Sequence, residues 1–315
     1  VDHGEGELMT AVPQERTTPP ELDPASGPAS SRRRSASHTR LWGWLLLPPA
    51  AWMLIFFVSS LIIVVALSFG HVNDQLRPVF GMSLDNYRTL WNGVYLSVFL
   101  RSLVYAVVTV VLCLVIGYPV AYTIALHGGR YKNVLIAALV IPFFASYLIR
   151  MYAWSTLLSD EGLVNQLLLK LGLSEGIKFL NTPGAVIAGL TYGFVIFMIL
   201  PVYAALERMD LSLIEAGKDL YHSPLQTFFA VTIPATRAGM LGGVLLVFLP
   251  ALGDFVSAQL LGGPNTYMIG NLIQQQFFEG QNAPLGSALT IVLMIALVIF
   301  MVFYLRATDR EKRET

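Results

Sequence analysis

The apolar residues of this chain fall into six long runs, which short polar segments separate. Because a membrane's hydrocarbon layer is about 30 Å thick and a helix rises about 1.5 Å per residue, a crossing helix needs about 20 apolar residues. The runs cover residues 45–69, 102–126, 134–149, 185–206, 238–261 and 287–304. The third is the shortest, and we expect its helix to continue past Arg150 toward Trp154. The pattern predicts an all-α membrane protein with six transmembrane helices.

Residues 1–40 differ from the rest because Pro, Ser, Glu and Arg dominate and large apolar residues are almost absent. This composition is typical of disordered segments, so we expect a disordered cytoplasmic tail. The tail ends in a cluster of arginines directly before the first apolar run, which is too long for a secretory signal peptide. We expect translation to start at Val1 or at Met9, the first methionine.

Composition excludes several classes of function. Of the 315 residues, 55% are hydrophobic and only 13% are charged, and the mean hydropathy is +0.63. Soluble domains carry about 25% charged residues, so we exclude a soluble enzyme. The net charge is zero, so no overall field attracts nucleic acid. The single cysteine, Cys113, and five scattered histidines show no ligand spacing, so we predict no metal site and no cofactor.

The distribution of basic residues predicts the orientation in the membrane. With a cytoplasmic amino terminus, the cytoplasmic segments hold 14 of the 20 Lys and Arg residues and the external segments hold 6. Because cytoplasmic loops of membrane proteins are enriched in Lys and Arg, we expect both termini to be cytoplasmic.

The segment 207–237, between the fourth and fifth runs, has a pattern of its own. Its first part, 210–220, has apolar residues at helical spacing. Ser223 followed by Pro224 and Gln226 is a capping-box pattern with Pro at the first helical position. A second helix should begin there and end at Ile233-Pro234, presenting Leu225, Phe228, Phe229 and Thr232. We therefore predict two short helices at about a right angle, which either lie on lipid or dock a soluble partner.

The same segment resembles the EAA loop of importer-type ABC permeases. The resemblance rests on Glu215-Ala216-Gly217 and on Ile233-Pro234. The chain keeps Glu215, Ala216 and Pro234 of the family pattern. It departs from that pattern at four positions: Gly217 (Ala in the family), Tyr221 (Gly), Val231 (Ile) and Ile233 (Leu). At Tyr221 the family glycine occupies the turn between the helices, where only Gly reaches positive φ without cost.

Further motifs resemble the spermidine/putrescine branch of these permeases. They are Gly117-Tyr-Pro-Val-Ala-Tyr122, Pro142-Phe-Phe144 with Arg150-Met-Tyr-Ala-Trp154, and Gly253-Asp-Phe-Val256 with Gly262-Gly263. The resemblance covers residues 45–305. It implies a type I ABC importer permease fold in a six-helix domain 41–305, with a core 97–304, a coupling loop 207–237 and a cytoplasmic tail 306–315.

The resemblance also implies a function, which is inward transport of a small cationic solute by alternating access in the bacterial inner membrane. The implied partners are ATP-binding cassette ATPase subunits, a second homologous permease, an external substrate-binding protein and the lipid bilayer. The residues implied to couple this chain to the ATPase are Glu215, Ala216, Gly217, Asp219, Leu220, Tyr221 and Pro234. The chain's only Gly-Lys pair, Gly217-Lys218, lacks the phosphate-binding pattern, so we expect ATP hydrolysis on a separate chain and no enzyme activity here.

Asp254 is the one clear charge inside an apolar run, and burial of such a group marks a functional candidate. Pro250, four residues earlier, frees a helical carbonyl, and an acid beside free carbonyls suits an ammonium group. Alternatively, Asp254 pairs with Arg101 or Arg150. Arg150, Tyr152 and Trp154 belong either to the translocation path or to an interfacial aromatic belt.

Two other readings remain open at this point. One is an importer permease for another small solute. The other is a self-sufficient secondary transporter, although that reading leaves the two-helix segment unexplained and the sequence shows no evident inverted repeat.

Overall fold

The structure is a computed structural model that describes residues 35–75, 77–91, 93–172, 178–221 and 223–314. Residues 1–34 of the predicted tail lie outside this part, and residues 35–40 are the first residues of the first helix. The chain divides into two compact units, Val1–Val58 and Ser59–Thr315, with the boundary inside that helix.

The described part is almost entirely helical, as the apolar runs predict. Its α-helices are α1 (Ser35–Ser68), α2 (Asp85–Leu90), α3 (Gly93–Tyr122), α4 (Lys132–Val140), α5 (Tyr147–Leu158), α6 (Leu163–Lys170), α7 (Pro183–Glu207), α8 (Ser212–Tyr221), α9 (Pro224–Thr227), α10 (Ile233–Ala235), α11 (Arg237–Gly253), α12 (Val256–Leu261), α13 (Ile269–Phe278) and α14 (Ala283–Glu314). Short π-helical or 3₁₀ turns are Thr123–His127, Gly129–Tyr131, Ile141–Phe144, Phe228–Thr232 and Pro264–Thr266.

A small β-hairpin qualifies the all-α prediction. Strand β1 (His71–Val72) pairs antiparallel with β2 (Pro78–Val79), with His71 opposite Val79. The side chain of Asn73 closes the turn, because its Oδ1 accepts the amides of Gln75 at 3.1 Å and Arg77 at 2.9 Å. A pair of two-residue strands is too short to leave a period-2 pattern in the sequence.

Among the residues that the structure describes, four helices are long and apolar enough to cross a membrane, and the number is six if each of two bent helix pairs forms one span. The four are Leu47–Ser68, Gly93–His127, Pro183–Glu207 and Ala283–Arg306. The bent pairs are Gly129–Phe144 with Tyr147–Lys170, at 90°, and Pro224–Ala235 with Arg237–Gly253, at 69°. Four of the six apolar runs thus match a single long helix, and the third and fifth runs begin in the two bent pairs.

Two spans that the sequence predicts as continuous helices are interrupted in the structure. The third does continue beyond Arg150, but the chain turns through extended backbone at Ala145 and Ser146 before α5 begins. The fifth was predicted as one helix over 238–261, whereas α11 ends at Gly253 and α12 begins at Val256. The first break holds Ala145 and Ser146 and the second holds Asp254 and Phe255, but apolar residues continue on both sides of each, so the mean hydropathy stays high.

The core of the second unit lies where α3, α7 and α11 pack together. Close approach depends on glycine: a Cβ on Gly243 would lie 2.5 Å from the sulfur of Met198, and one on Gly117 would lie 3.3 Å from the Cγ of Met198. Cys113 is fully buried in this core, and its Sγ donates to the carbonyl of Thr191 at 3.6 Å. Small residues let the three helices meet, as in other membrane bundles.

Candidate functional site

The segment 207–237 folds into a pair of helices, which we call the loop hairpin (α8 with the continuous helical run Pro224–Ala235). The two helices of the hairpin pack against each other at Gly217 of α8. A Cβ on this residue would lie 2.8 Å from Thr227 Cγ2 and 2.9 Å from Val231 Cγ2. The β-branched side chains of the second helix therefore fill the volume that an alanine side chain would occupy.

Two details of the second helix differ from the prediction. Pro224 does occupy the first helical position after Ser223, but the side chain of Ser223 makes no capping hydrogen bond, so the predicted capping box with Gln226 is wrong. The helix also does not end at Ile233-Pro234. It continues one residue further, to Ala235, and Pro234 lies in the short α10 that directly follows the π-helical turn Phe228–Thr232.

The loop hairpin separates its predicted coupling residues into two groups. Gly217 is buried against the second helix, together with Ile214. Four others are exposed on the surface of α8: Glu215, Ala216, Asp219 and Leu220. Tyr221 ends α8, and its side chain lies outside the described part. Pro234 is half-buried in α10, away from the exposed group in sequence.

The exposed surface of the loop hairpin is unusually apolar for a segment outside the spans. Leu225 is 70% exposed and Phe229 is 66% exposed. Together with Gln226 and Ala230 they line a shallow open groove. An exposed apolar patch beside polar residues is typical of a protein-binding surface.

Phe228 attaches the loop hairpin to the end of α3. Its ring meets those of Tyr118 and Tyr122 edge to face, with centroids 5.3 and 5.5 Å apart. The phenol oxygen of Tyr118 lies 2.8 Å from Thr236 Oγ1. Because the hydroxyl proton of Thr236 goes to the carbonyl of Thr232 at 2.8 Å, Tyr118 is the donor. The hairpin and α3 are thus joined by aromatic and polar contacts.

We expect Phe228→Ala to loosen this attachment. The two edge-to-face pairs with the end of α3 are lost, each worth about 0.5–1.5 kcal/mol, so the free energy of unfolding should fall by at least about 1–3 kcal/mol. Thermal unfolding and hydrogen exchange over 223–235 would measure the change. Leu225→Ala is the control, since its exposed side chain should contribute less than about 0.5 kcal/mol. Equal effects of the two variants would contradict the assignment.

The first turn of α8 is capped by an acidic residue. Asp210 Oδ1 accepts the amide of Ser212 at 2.9 Å. Hydrogen bonds from the backbone amide and then the side chain of Ser212 lower the pKa of the Asp210 carboxyl below its usual range. The carboxylate also lies near the positive end of the helix dipole.

This cap predicts a pH dependence of the loop hairpin. Because the folded carboxyl has the lower pKa, its stabilisation is present at neutral pH and is lost as the pH falls through that pKa. Amide protection factors in the first turn of α8 should therefore fall on acidification. Asp210→Ala should lower them at neutral pH and remove the acid-dependent part. A variant with the wild-type profile would show that Asp210 does not cap α8.

An ion pair that the sequence pattern did not reveal lies just before the loop hairpin. Lys132 Nζ is 2.8 Å from Glu207 Oε1 and 5.2 Å from the centre of the Tyr203 ring. It ties the start of α4 to the end of α7. The two residues are 75 positions apart, so only the fold brings them together.

Asp254 lies at the break between α11 and α12 and is only 8% exposed. Its Oδ2 accepts the phenol proton of Tyr147 at 2.9 Å, and its Oδ1 accepts the amide of Ser257 at 2.8 Å. The Ser257 hydroxyl lies 2.6 Å from the Tyr147 oxygen. The carboxylate therefore caps α12 and joins it to α5.

The alternative pairing of Asp254 with Arg101 or Arg150 was wrong. Within the described residues, neither arginine forms an ion pair with Asp254. The partner that sequence reasoning missed is Tyr147, 107 residues away. A local signal was present in the sequence, because Asp254 stands three residues before Ser257, the spacing of a helix cap.

Arg150 is enclosed by aromatic rings. Its guanidinium carbon lies 4.4 Å from the centre of the Phe143 ring, 5.6 Å from that of Tyr147 and 5.9 Å from that of Tyr192. Within the described residues its buried Nε and Nη1 have no hydrogen-bond partner. Since Phe143 precedes the break in the third span and Arg150 follows it, this cation–π contact stabilises the bend.

The other predicted path residues are not gathered around Asp254. Tyr152 is exposed on α5, and Trp154 packs against Tyr192 with ring centroids 5.3 Å apart. Pro250 lies inside α11 and is exposed. Arg150 and Asp254 both contact Tyr147, Arg150 at its ring and Asp254 at its hydroxyl.

The described part of the chain contains no group of three or more His, Cys, Asp or Glu side chains that could hold a metal ion. Its two notable arrangements are the exposed loop hairpin and the buried carboxylate at the broken fifth span.

Known proteins resemble the chain over most of its length. The spermidine/putrescine transport system permease protein PotB of Haemophilus influenzae is 38% identical over 254 residues, which cover 80% of this chain and 89% of that protein. PotB of Escherichia coli is 38% identical over 248 residues, covering 78% and 90%. The inner membrane ABC transporter permease protein YdcU of E. coli is 34% identical over 278 residues, covering 83% and 88%.

Solved structures show the same fold. A chain in the crystal structure of the bacterial alginate ABC transporter with its alginate pentasaccharide-bound periplasmic protein matches with a TM-score of 0.67 and 21% identity, covering 87% of this chain and 96% of that chain. A chain of the inward-facing MetNI methionine ABC transporter matches with a TM-score of 0.52 and 20% identity, covering 71% and 97%. These matches confirm the predicted ABC importer permease fold.

Residues 93–314 match the family described as binding-protein-dependent transport system inner membrane components. The matched region begins with α3 and includes the loop hairpin and the broken fifth span. The family assignment predicted from the EAA-like loop is therefore confirmed. The chain belongs to the binding-protein-dependent transport system inner membrane component family.

Proposed function

We propose that this chain is a permease subunit of an ATP-driven importer of polyamines such as spermidine and putrescine. The observation that carries the proposal is its 38% identity, over about four-fifths of its length, to permeases named for spermidine/putrescine transport. A buried carboxylate at a helix break supports a cationic solute, because unsatisfied helix-end carbonyls and an acid both attract ammonium groups.

We propose that ATP-binding cassette subunits bind the exposed face of the loop hairpin. The exposed apolar residues Leu220, Leu225 and Phe229 lose water contact when a partner covers them. Glu215 supplies a polar anchor on the same hairpin, and Ala216 allows close approach. ATP hydrolysis belongs to that partner, and the movement it drives reaches α3 through Phe228.

The remaining partners follow from the same proposal. A second homologous permease completes the translocation path, and an external binding protein delivers the solute. We propose that Asp254 and Pro250 line the path, with Arg150, Tyr152 and Trp154 beside it. The six-helix domain then spans 41–305, with the coupling loop at 207–237 and both termini cytoplasmic, as 14 of 20 basic residues favour.

The proposal is tested by measuring the uptake of labelled spermidine and putrescine. The cells used lack this chain and carry no second polyamine system. Wild type should restore uptake. Glu215→Ala should not, and it should copurify less ATPase. Glu161→Ala, which removes an exposed acid from a different loop, is the matched control.

The outcomes separate the parts of the proposal. Unchanged uptake on deletion, with an ATPase still copurifying, would overturn the polyamine substrate but leave the importer. Full uptake by Glu215→Ala would overturn the role of Glu215. Uptake that continues without any copurifying ATPase would favour a self-sufficient transporter.

A further inference from the structure

A second cavity lies far from the loop hairpin, between α2, the start of α3 and the last span. It has a volume of about 240 Å³ and is open on one side. One wall carries four aromatic residues spaced by four positions: Tyr87, Trp91, Tyr95 and Phe99. The rest of the lining is aliphatic: Leu90, Leu96, Ile269, Leu289 and Val292.

Two polar groups of the lining, the Tyr87 phenol and the Ile269 amide, donate to Ser68 and Ser102 and not into the cavity. The Tyr87 phenol lies 2.8 Å from Ser68 Oγ, whose own proton goes to the carbonyl of Val65, so Tyr87 donates away from the cavity. The amide of Ile269 donates to Ser102 Oγ at 2.7 Å. The rest of the lining is mainly aliphatic and aromatic carbon, so the cavity offers ordered water few of the two to four polar partners that it needs. An apolar occupant therefore fits it best, and a polyamine does not fit because no carboxylate lines it.

The position of the cavity along the last span indicates which apolar group fills it. Leu289 and Val292 lie roughly 9 and 14 Å along the helix from Ala283, at 1.5 Å per residue. That is the depth of the upper part of a lipid acyl chain. Trp91, which is 80% exposed, marks the interfacial level above it.

An exposed basic residue is the sequence neighbour of one lining residue. Arg88 follows the lining residue Tyr87, and its side chain is 81% exposed. It lies 3.6 Å from an equally exposed Asp85, and such surface pairs are weak enough to exchange for a phosphate. Exposed arginines beside the membrane attract anionic headgroups.

We propose that this cavity binds one acyl chain of an anionic phospholipid, whose headgroup contacts Arg88. The lipid fills the space between α2 and the last span and holds the short external helix against the membrane domain. The site is independent of the transported solute and of the loop hairpin.

Native mass spectrometry of the detergent-purified complex tests this proposal after reconstitution with phosphatidylglycerol or phosphatidylcholine. Wild type should retain phosphatidylglycerol, and at least threefold more of it than phosphatidylcholine. Val292→Trp fills the cavity and should reduce retention at least fivefold. Val298→Trp, at an exposed position of the same helix, should retain lipid as wild type does. Arg88→Gln should remove the preference for phosphatidylglycerol.

Thermal unfolding of each variant checks that it is folded, and Leu96→Trp fills the cavity from the opposite wall if Val292→Trp is unstable. Equal retention by wild type and a folded cavity-filling variant would overturn the proposal. So would equal retention of the two lipids by wild type. If the filling variants lose a protein partner while retaining lipid, the cavity is a subunit contact and the lipid assignment is wrong.

Discussion

Gly217→Ala is expected to impair transport severely, even though alanine is the family residue at this position. The new methyl group would meet Thr227 Cγ2 at 2.8 Å and Val231 Cγ2 at 2.9 Å. Both neighbours are β-branched and rigid, so they cannot turn aside. Overpacking of this kind costs about 1–3 kcal/mol. The helices of the loop hairpin should separate, and uptake and ATPase copurification should both fall.

Compensating substitutions in the second helix test whether this steric clash is the cause of the lost transport. Thr227→Ser with Val231→Ala removes the two methyl groups that the new side chain would meet. Serine at position 227 keeps the hydroxyl group, which donates a hydrogen bond to the carbonyl of Ser223. Combined with Gly217→Ala, these changes should restore transport. Gly242→Ala is the control, because its nearest new contact would be at 3.8 Å. If Gly217→Ala transports normally, the hairpin packing does not set the coupling geometry.

Asp254→Asn is expected to reduce polyamine uptake at least tenfold while the protein level in the membrane stays unchanged. Asparagine keeps the shape of the side chain and can satisfy the same neighbours. Its oxygen accepts the amide of Ser257, and its NH₂ group donates to Tyr147. The Tyr147 hydroxyl then donates its proton to Ser257 Oγ. The Ser257 hydroxyl in turn donates to the sulfur of Met151 at 3.6 Å.

The variant therefore removes a charge without leaving an unpaired polar group. A hydrogen bond to a charged group is worth about 1.5–3 kcal/mol, which corresponds to a tenfold or larger rise in the KM for a cationic solute. Tyr147→Phe is the comparison, because it keeps the charge and removes one donor, so it should lower stability more than Asp254→Asn. Wild-type uptake by Asp254→Asn would show that Asp254 acts only as the cap of α12.

The spans were predictable because hydropathy directly reflects the cost of placing residues in lipid. The breaks at Ser146 and Asp254 were not predictable from hydropathy, since apolar residues continue on both sides of each and the mean hydropathy stays high. What decides each break is a contact between distant segments. Tyr147 reaches Asp254 across 107 residues, and Arg150 holds the bend through Phe143. A single sequence contains no sign of such pairs.

The loop hairpin also has features that were predictable from the sequence and features that were not. The start of its second helix at Pro224 was predictable because proline fixes φ locally. The capping box was wrong because a sequence motif gives the donors and acceptors but not the rotamer of Ser223. The role of Gly217 became visible only with Thr227 and Val231 in place. Which side of α8 is exposed was also undetermined, because the exposed side carries Leu213 and Leu220 and the buried side carries Ile214.

The burial of Cys113 has a practical consequence for observing transport. It is the only cysteine of the chain, and its sulfur is enclosed in the core with no exposed surface. Thiol-reactive reagents should leave the native chain unlabelled. A cysteine introduced at Leu225, paired with one on an exposed span position, would then carry spin labels or fluorophores without any prior substitution. Distances between the loop hairpin and the spans can thus be followed through the transport cycle in the otherwise native sequence.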